Sequence, residues 1–198
     1  MMTTLQTYLR KKLSNTISKW NDHDIYAISF FLDTNEAYEY NGVSNVTFFS
    51  VSYNTEKDCP GAGVLDEARW NYAFWRQNET PILDAYAAPE GMKILFDWYH
   101  EKGLTNIGQE NVETAYDSEM QYIGKGPVGC YELLEQVTAA AKWLQQSGFI
   151  QKTFGKQIPI ILHDLTYTWY TIEATKKANP HGEAETFLAA MKEMGLLS

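Results

Sequence analysis

Two runs of β-branched and aromatic residues constrain the fold of this chain more than any other feature. Asp24–Leu32 reads DIYAISFFL and Val46–Tyr53 reads VTFFSVSY, and Asn41-Gly42 between them favours a turn. Two strands that follow each other across a turn are expected to pair antiparallel. We therefore predict an antiparallel pair here, a third strand at Pro81–Tyr86 and a short strand at Ile158–His163.

Apolar residues at helical spacing predict helices in most of the remaining chain. The first four predicted helices are Leu5–Trp20, Leu65–Trp75, one that begins at Pro89 and is stopped by Gly103, and Gly129–Gln146. The last two are Leu165–Ala178, capped by Asp164, and a helix opened by Asn179-Pro180, in which Phe187, Leu188 and Met191 face inward. Strands come mostly early and helices mostly late, so we predict an α+β fold. We expect a small antiparallel or mixed sheet from the N-terminal half, packed by several helices mostly from the C-terminal half. A length of 198 residues suits a single domain over residues 1–198.

Charge is distributed unevenly along the sequence. Residues 21–140 contain 20 Asp or Glu and 6 Lys or Arg, whereas residues 1–20 contain 4 basic residues and no acidic ones. The whole chain has a formal net charge of −9. An acidic field repels nucleic acid and anionic membranes and attracts basic partners. We therefore expect no nucleic acid or membrane among the partners, and a basic protein as the favoured class.

The sequence also predicts the compartment. No signal peptide is recognisable, and no apolar run approaches the roughly 18 residues of a membrane span. Cys59 and Cys130 lie far apart without a CxxC motif, so reduced thiols are expected. These features together predict a cytoplasmic protein.

The segment 66–76 combines acidic, aromatic and basic side chains. Trp, Tyr and Arg dominate the hot spots of protein interfaces. Asp66, Glu67, Trp70 and Trp75 are therefore candidate residues for contact with a basic partner. The alternative is a core segment whose arginines pair with nearby acids. A second aromatic cluster at 167–170 has the same two interpretations.

His163 and Asp164 form the second candidate site, because they end a predicted buried strand, where reactive groups often lie. A histidine with a structural role and satisfied hydrogen bonds is the alternative. The four histidines show no spacing that is typical of metal ligands. We predict no metal and no cofactor.

Gly124–Gly129 matches G-x-G-x-x-G directly before a predicted helix. Such a turn can hold a phosphate at a helix N-terminus, but the preceding strand and the following acid of a dinucleotide site are missing. We interpret it as a turn. Cys130, which comes next, is either an activated thiolate or a small core residue.

Four stretches of the chain resemble a bacterial family without assigned activity, the domain-of-unknown-function family numbered 4303. They are Asp24–Leu32, RWNYAFW at Arg69–Trp75, GCYELL at Gly129–Leu134 and PIILHDLTYTWY at Pro159–Tyr170. The resemblance implies a stand-alone cytoplasmic α+β protein. Small acidic proteins of this kind often resemble immunity or interaction partners that are encoded beside bacterial toxins.

Two functions follow from these observations. The first is a non-catalytic interaction protein, which includes an immunity protein against a basic toxin domain, since charge complementarity speeds association. The second is a small-ligand-binding protein or enzyme that uses the His163/Asp164 region. A homo-oligomer joined by its aromatic patches is a third possibility, and the sequence leaves the oligomeric state open.

Overall fold

A four-stranded mixed sheet organises the structure, a computed structural model that describes residues 4–110, 112–165 and 167–196. The strands are β1 Ile25–Thr34, β2 Glu39–Tyr40, β3 Val43–Ser44, β4 Thr47–Thr55, β5 Thr80–Leu83 and β6 Ile160–His163. The sheet order is β5-β4-β1-β6, and β2 and β3 form a separate small ribbon. β1 pairs antiparallel with β4 but parallel with β6. The α+β prediction is confirmed, as is the antiparallel pairing of the two strands that opened the sequence analysis.

Helices cover both faces of this sheet. They are α1 Leu5–Ile17, α2 Glu67–Trp70, α3 Pro89–Glu101, α4 Cys130–Gln146, α5 Phe149–Phe154, α6 Trp169–Ala178 and α7 Glu185–Glu193, with 3₁₀ turns at Tyr72–Phe74 and Val112–Thr114. Most of them come from the C-terminal half, as predicted.

The first face of the sheet is apolar. Side chains that alternate along β1, such as Phe30 and Leu32, are buried with the apolar stripe of α1 and with residues of α3 and α4, including Leu95 and Val137. This alternation is the period of two that places every second strand residue on the same face. Burial of these side chains from water is the main stabilising term for the sheet.

The second face of the sheet carries polar side chains among its apolar ones. Ser29, Ser52, Asn54 and His163 are all buried there. A separate group of buried apolar residues covers this face; it is drawn from strand residues, the 59–75 segment, α6 and α7 and includes Tyr26, Trp70, Trp75, Ile161, Phe187 and Met191. Buried polar groups must find hydrogen-bond partners, so this face depends on a specific set of contacts.

Two predicted helices begin later than their sequence suggested. The prediction of a helix over Leu165–Ala178 capped by Asp164 is wrong at its start, since α6 begins at Trp169 after Thr168. Asp164 instead accepts a hydrogen bond from the Thr168 hydroxyl. The last helix does not open at Asn179-Pro180, because Gly182, with φ of 85°, lies in the left-handed region and α7 starts at Glu185.

The predicted helix over Leu65–Trp75 is mostly irregular. Only α2 and the 3₁₀ turn at Tyr72–Phe74 are helical, separated by Asn71, whose backbone is extended. The Asn71 side chain accepts a hydrogen bond from the Ala73 amide and so competes with a continued helix. This break lets Trp70 and Trp75 both pack inward.

Asn179 fastens the edge strand β6 to the helices beside it. Its amide accepts from the Ile160 N–H at 2.9 Å and donates to the Ile160 carbonyl at 2.7 Å. Gln145 from α4 donates to the same Asn179 oxygen at 3.0 Å. This side chain thus takes the place of a neighbouring strand at Ile160 and joins α4, α6 and β6, and the Thr175 hydroxyl does the same for the Leu162 N–H.

Replacing Asn179 with Ala should destabilise the protein by about 3 kcal/mol, because it leaves several buried polar groups without partners. Urea unfolding followed by circular dichroism measures this change. Asn15→Ala is the matched control, since Asn15 is exposed on α1, and it should change stability by no more than about 0.5 kcal/mol. Equal stabilities of the two variants would contradict the role given to Asn179.

Candidate functional site

The carboxyl ends of the parallel strands β1 and β6 meet at one edge of the sheet. Phe31 of β1 is paired with His163, so Asp33, the next-to-last residue of β1, and Asp164, which follows β6, lie at the same end of the two strands. Ligands of sheets with parallel strands collect outside such carboxyl ends. The predicted His163/Asp164 site therefore lies beside Asp33, which sequence reasoning did not single out.

A cleft of about 530 Å³, here the first cleft, opens beside these strand ends and the N-terminal ends of α4 and α6. Its carboxylates are those of Asp33, Glu110 and Asp164. Tyr122 and Trp169 are among its aromatic residues. The cleft has the size of a small-ligand or side-chain site.

A second cleft of about 830 Å³ lies between the same strand ends and residues 67–79. Its carboxylates are those of Asp33, Glu67, Glu79 and Asp164, and its aromatic residues are Phe31, Tyr72, Trp75 and Tyr167. The two clefts share Asp33, Asp164, Leu165 and Tyr167. They are therefore adjoining parts of one concave region.

All charged side chains that line the two clefts are acidic. Among the described residues, neither lining contains a Lys or an Arg. The carboxylates accept hydrogen bonds from neutral donors: Tyr38 to Asp33, Asn71 to Glu67, Tyr72 to Glu79, Tyr122 to Glu110 and Thr168 to Asp164. Within the described parts of the chain, Asp33, Glu67, Glu79 and Glu110 form no salt bridge.

The hydrogen bond to Asp33 raises the pKa of Tyr38 to about 12. Burial, with the hydrogen bond to Glu110, raises the pKa of Tyr122 to a similar value of about 12. Both hydroxyls therefore stay protonated at neutral pH and act as donors. They hold the carboxylates in place without cancelling their charge, so the clefts keep a negative potential.

His163 is held as a neutral ring beneath the second cleft. Its Nε2 lies 3.1 Å from the Trp70 carbonyl oxygen, which can only accept, so Nε2 carries the proton. Its Nδ1 then accepts from the Ser29 hydroxyl at 2.8 Å. Burial lowers the pKa of His163 to about 4. The ring joins β6, β1 and the end of α2.

The hydrogen bond between Ser29 and His163 resembles the one between a serine nucleophile and its base. A substrate, however, cannot reach either side chain. Ser29 is completely buried and His163 is 2 % exposed. A nucleophile must reach a substrate, and its base must take up a proton during the reaction. The buried pair is suited to neither step, and its geometry is that of a structural link between strands.

The prediction that Trp70 and Trp75 anchor an exposed interface is wrong. Each is 3 % exposed, and their indole N–H groups donate to the carbonyls of Val64 and Arg69. The alternative interpretation as a core segment is the one the structure supports.

The arginines and acids of this segment also have internal roles. Arg69 binds both oxygens of Glu56, and Arg76 contacts Asp22 and Asp58 at 3.0 Å each. Asp66 caps α2 by accepting from the Ala68 amide. Of the four candidate interface residues, Glu67 and the buried Trp75 line the second cleft, whereas Asp66 and Trp70 line neither cleft.

The Gly124–Gly129 turn is not a phosphate cradle. The amides of Gly126, Val128 and Cys130 already donate to the Tyr122 hydroxyl, the Gln109 carbonyl and the Pro127 carbonyl. The carboxylate of Glu132 accepts from the Gly129 amide and places a negative charge where a phosphate would bind. The interpretation as a turn into α4 fits these contacts.

Cys130 at the start of α4 is a buried thiol. Burial raises its pKa, and the Thr34 hydroxyl lies 3.7 Å from its sulfur. Both cysteines are free and buried. A raised pKa disfavours the thiolate that a nucleophile or metal ligand requires.

Exposed apolar side chains stand at the clefts. Leu165 is 74 % exposed, Trp169 is 43 % exposed and Leu196 is 42 % exposed, and each of them lines at least one cleft. The second aromatic cluster, and not the first, thus supplies an accessible tryptophan. Sequence patterns missed this because both clusters are rich in aromatic residues, and aromatic content does not show which cluster is covered.

Neither a relative nor a metal site in the described parts of the chain gives this protein a further assignment. No family model, no curated protein and no solved structure matches the chain. The resemblance to the family numbered 4303 therefore stays a prediction. Among the described residues, no three His, Cys, Asp or Glu side chains are grouped so as to hold a metal ion. No described helix is long and apolar enough to span a bilayer.

His163 should make stability depend on pH. Its pKa of about 4 in the folded state lies below the ordinary 6.5, so between these values the unfolded state binds more protons. The contribution of neutral His163 to the free energy of unfolding is complete above pH 6.5 and is lost as the pH falls towards 4. The loss over that range should be about 3 kcal/mol.

Urea unfolding between pH 7.5 and 5 measures how the free energy of unfolding changes with pH, and two variants serve for comparison. His163→Gln should be less stable at pH 7.5 and should lose less stability on acidification than the natural protein. His100→Gln changes an exposed histidine of α3 and should keep the natural slope. A natural slope in His163→Gln would show that other groups cause the pH dependence.

Proposed function

We propose that this protein is a non-catalytic interaction protein whose two clefts receive a basic protein partner. One observation carries the proposal: the clefts are lined by five carboxylates, and no described lining residue is basic. Exposed Leu165, Trp169 and Leu196 add apolar contact area at the same place. Carboxylates beside an exposed tryptophan suit a partner that presents Lys or Arg among apolar residues.

Charge complementarity gives such an interface its speed and selectivity. A negative cleft raises the local concentration of a cationic partner and accelerates association. The same field repels nucleic acid and anionic membranes, so neither is among the proposed partners. The free thiols of Cys59 and Cys130 are compatible with the cytoplasmic location that forms part of the proposal.

The more specific form of the proposal is an immunity protein that blocks a basic toxin domain. Its support is the resemblance to the bacterial family numbered 4303, together with the acidic clefts. A toxin domain that acts on nucleic acid is itself basic, and an acidic protein can cover that surface.

The alternative is a small-ligand protein or enzyme that uses His163 and Asp164. Its support is that Asp164 lines both clefts at the carboxyl ends of parallel strands. Against it stand the buried, neutral ring of His163 and the raised pKa of the Cys130 thiol. We therefore favour binding over catalysis.

Affinity capture from the source cell tests the proposal. The natural protein should retain a specific basic protein, and the affinity should fall as salt is raised, because salt screens exposed charges. The double variant Glu67→Gln/Glu110→Gln should slow association by at least about threefold. Surface plasmon resonance with the captured protein measures both effects.

The double variant Glu39→Gln/Glu101→Gln is the matched control, because it removes the same charge at exposed positions outside the two clefts. It should associate nearly as fast as the natural protein. Equal slowing of both variants would mean that net charge, and not the clefts, attracts the partner. For the immunity proposal, the captured protein should arrest bacterial growth when produced alone, and co-production should restore growth.

A further inference from the structure

Among the described residues, one oxygen of the Asp33 carboxylate has no hydrogen-bond donor. Oδ2 accepts from the Tyr38 hydroxyl at 2.5 Å. Oδ1 is buried and has no partner among the described residues. A buried carboxylate oxygen without a donor is costly, and such a group in a native structure requires an explanation. Asp33 lines both clefts, so a donor that enters either cleft can supply the missing bond once the carboxylate rotates to present Oδ1.

Tyr167 presents a second unsatisfied group in the same region. Its hydroxyl oxygen is buried without a partner among the described residues, and it too lines both clefts. Burial, together with the charge of Glu67, raises the pKa of Tyr167, so its hydroxyl stays neutral. A neutral hydroxyl can accept a hydrogen bond from a cation that Asp33 binds.

We propose that Asp33 and Tyr167 form the binding point for one arginine side chain of the basic partner, an inference that rests on the proposed function. The guanidinium group donates to Oδ1 of Asp33 and to the Tyr167 hydroxyl. Its plane lies against the stacked aromatic pair of Phe31 and Tyr72 in the second cleft. Arginine forms such stacked and charge-assisted contacts better than lysine, whose ammonium is compact and more strongly hydrated.

Three features of the surroundings favour a cation over other occupants. The lining carries Glu67, Glu79 and Asp164 besides Asp33 and no described basic residue, so an anion is repelled. Oδ1 of Asp33 is shielded from bulk solvent, and a charge-assisted bond is strengthened where the local dielectric is low. The stacked pair of Phe31 and Tyr72, both only partly buried, supplies aromatic surface that attracts a cation.

Titration with N-acetyl-arginine methylamide tests the site without a partner protein. The binding is followed by NMR of the ¹⁵N-labelled protein. Saturable shifts should appear for residues around Asp33, Tyr72 and Tyr167, with a Kd of about 1 mM for a ligand of this size. N-acetyl-citrulline methylamide has nearly the same shape but no charge, and it should bind at least about tenfold more weakly.

Two variants assign the binding to the named groups. Asp33→Asn should weaken binding of the arginine analogue at least about tenfold, while its amide oxygen still accepts from Tyr38. Tyr167→Phe should weaken it by about threefold through loss of the hydroxyl. Asp97→Asn is the control, because Asp97 is an exposed residue of α3 that lines neither cleft. Thermal unfolding of each variant checks that it is folded.

Three outcomes would overturn the inference: equal binding of the citrulline analogue, an unchanged affinity in folded Asp33→Asn, or tighter binding of N-acetyl-lysine methylamide. The experiment also separates this inference from the proposed function. Binding of the arginine analogue without any captured protein would support the cation site and remove the interaction proposal. A captured partner whose affinity is unchanged by Asp33→Asn would support the interaction proposal and remove the arginine site.

Discussion

The parallel pairing of β1 with β6 is the contact on which the rest of this structure depends. It joins residues from opposite halves of the chain, with Ile28 beside Ile160 and Phe31 beside His163. Since both strands end at the same edge, Asp33 and Asp164 come together there. Both clefts are built around that edge, and both include these two carboxylates. A β6 that paired antiparallel would place Asp164 at the opposite edge.

Buried polar side chains hold this pairing in register. Asn179 binds both backbone groups of Ile160 on the outer side of β6. His163 connects β6 to Ser29 of β1 and to the carbonyl of Trp70. These groups have no access to water, so a shifted register would leave them without partners at a cost of several kcal/mol. The polar second face therefore makes the arrangement specific, whereas the apolar first face supplies most of the stabilisation.

Some acidic side chains of this protein pair with arginines and others accept only from neutral donors among the described residues, and this difference bears on binding. Arg69 and Arg76 satisfy acids within the 22–76 region and lie against Tyr26 and Tyr53. Among the described residues, the carboxylates of Asp33, Glu67, Glu79 and Glu110 are held instead by neutral hydroxyl and amide donors. The acidic region thus contains carboxylates that arginines neutralise in the fold and carboxylates whose charge is still available to a partner. The binding proposal and the arginine site both depend on the second group.

The sequence by itself determined the α+β class, the two long antiparallel strands and the apolar stripes of α1, α3 and α4. These features depend on local periodicity, which a single segment displays without its neighbours. It also pointed to His163 and Asp164, because a polar pair after an apolar run marks a strand end. Sequence could not choose between the aromatic clusters at 69–76 and 167–170, since composition does not encode which one is covered.

Only the tertiary structure decided that β1 and β6 are parallel neighbours and that Asp33 belongs to the site. It also decided that His163 is locked between Ser29 and Trp70, which no sequence pattern of single residues reveals. The physical reason is that each of these facts is a contact between segments far apart in the chain. Such contacts are set by packing and by the demand that buried polar groups be satisfied.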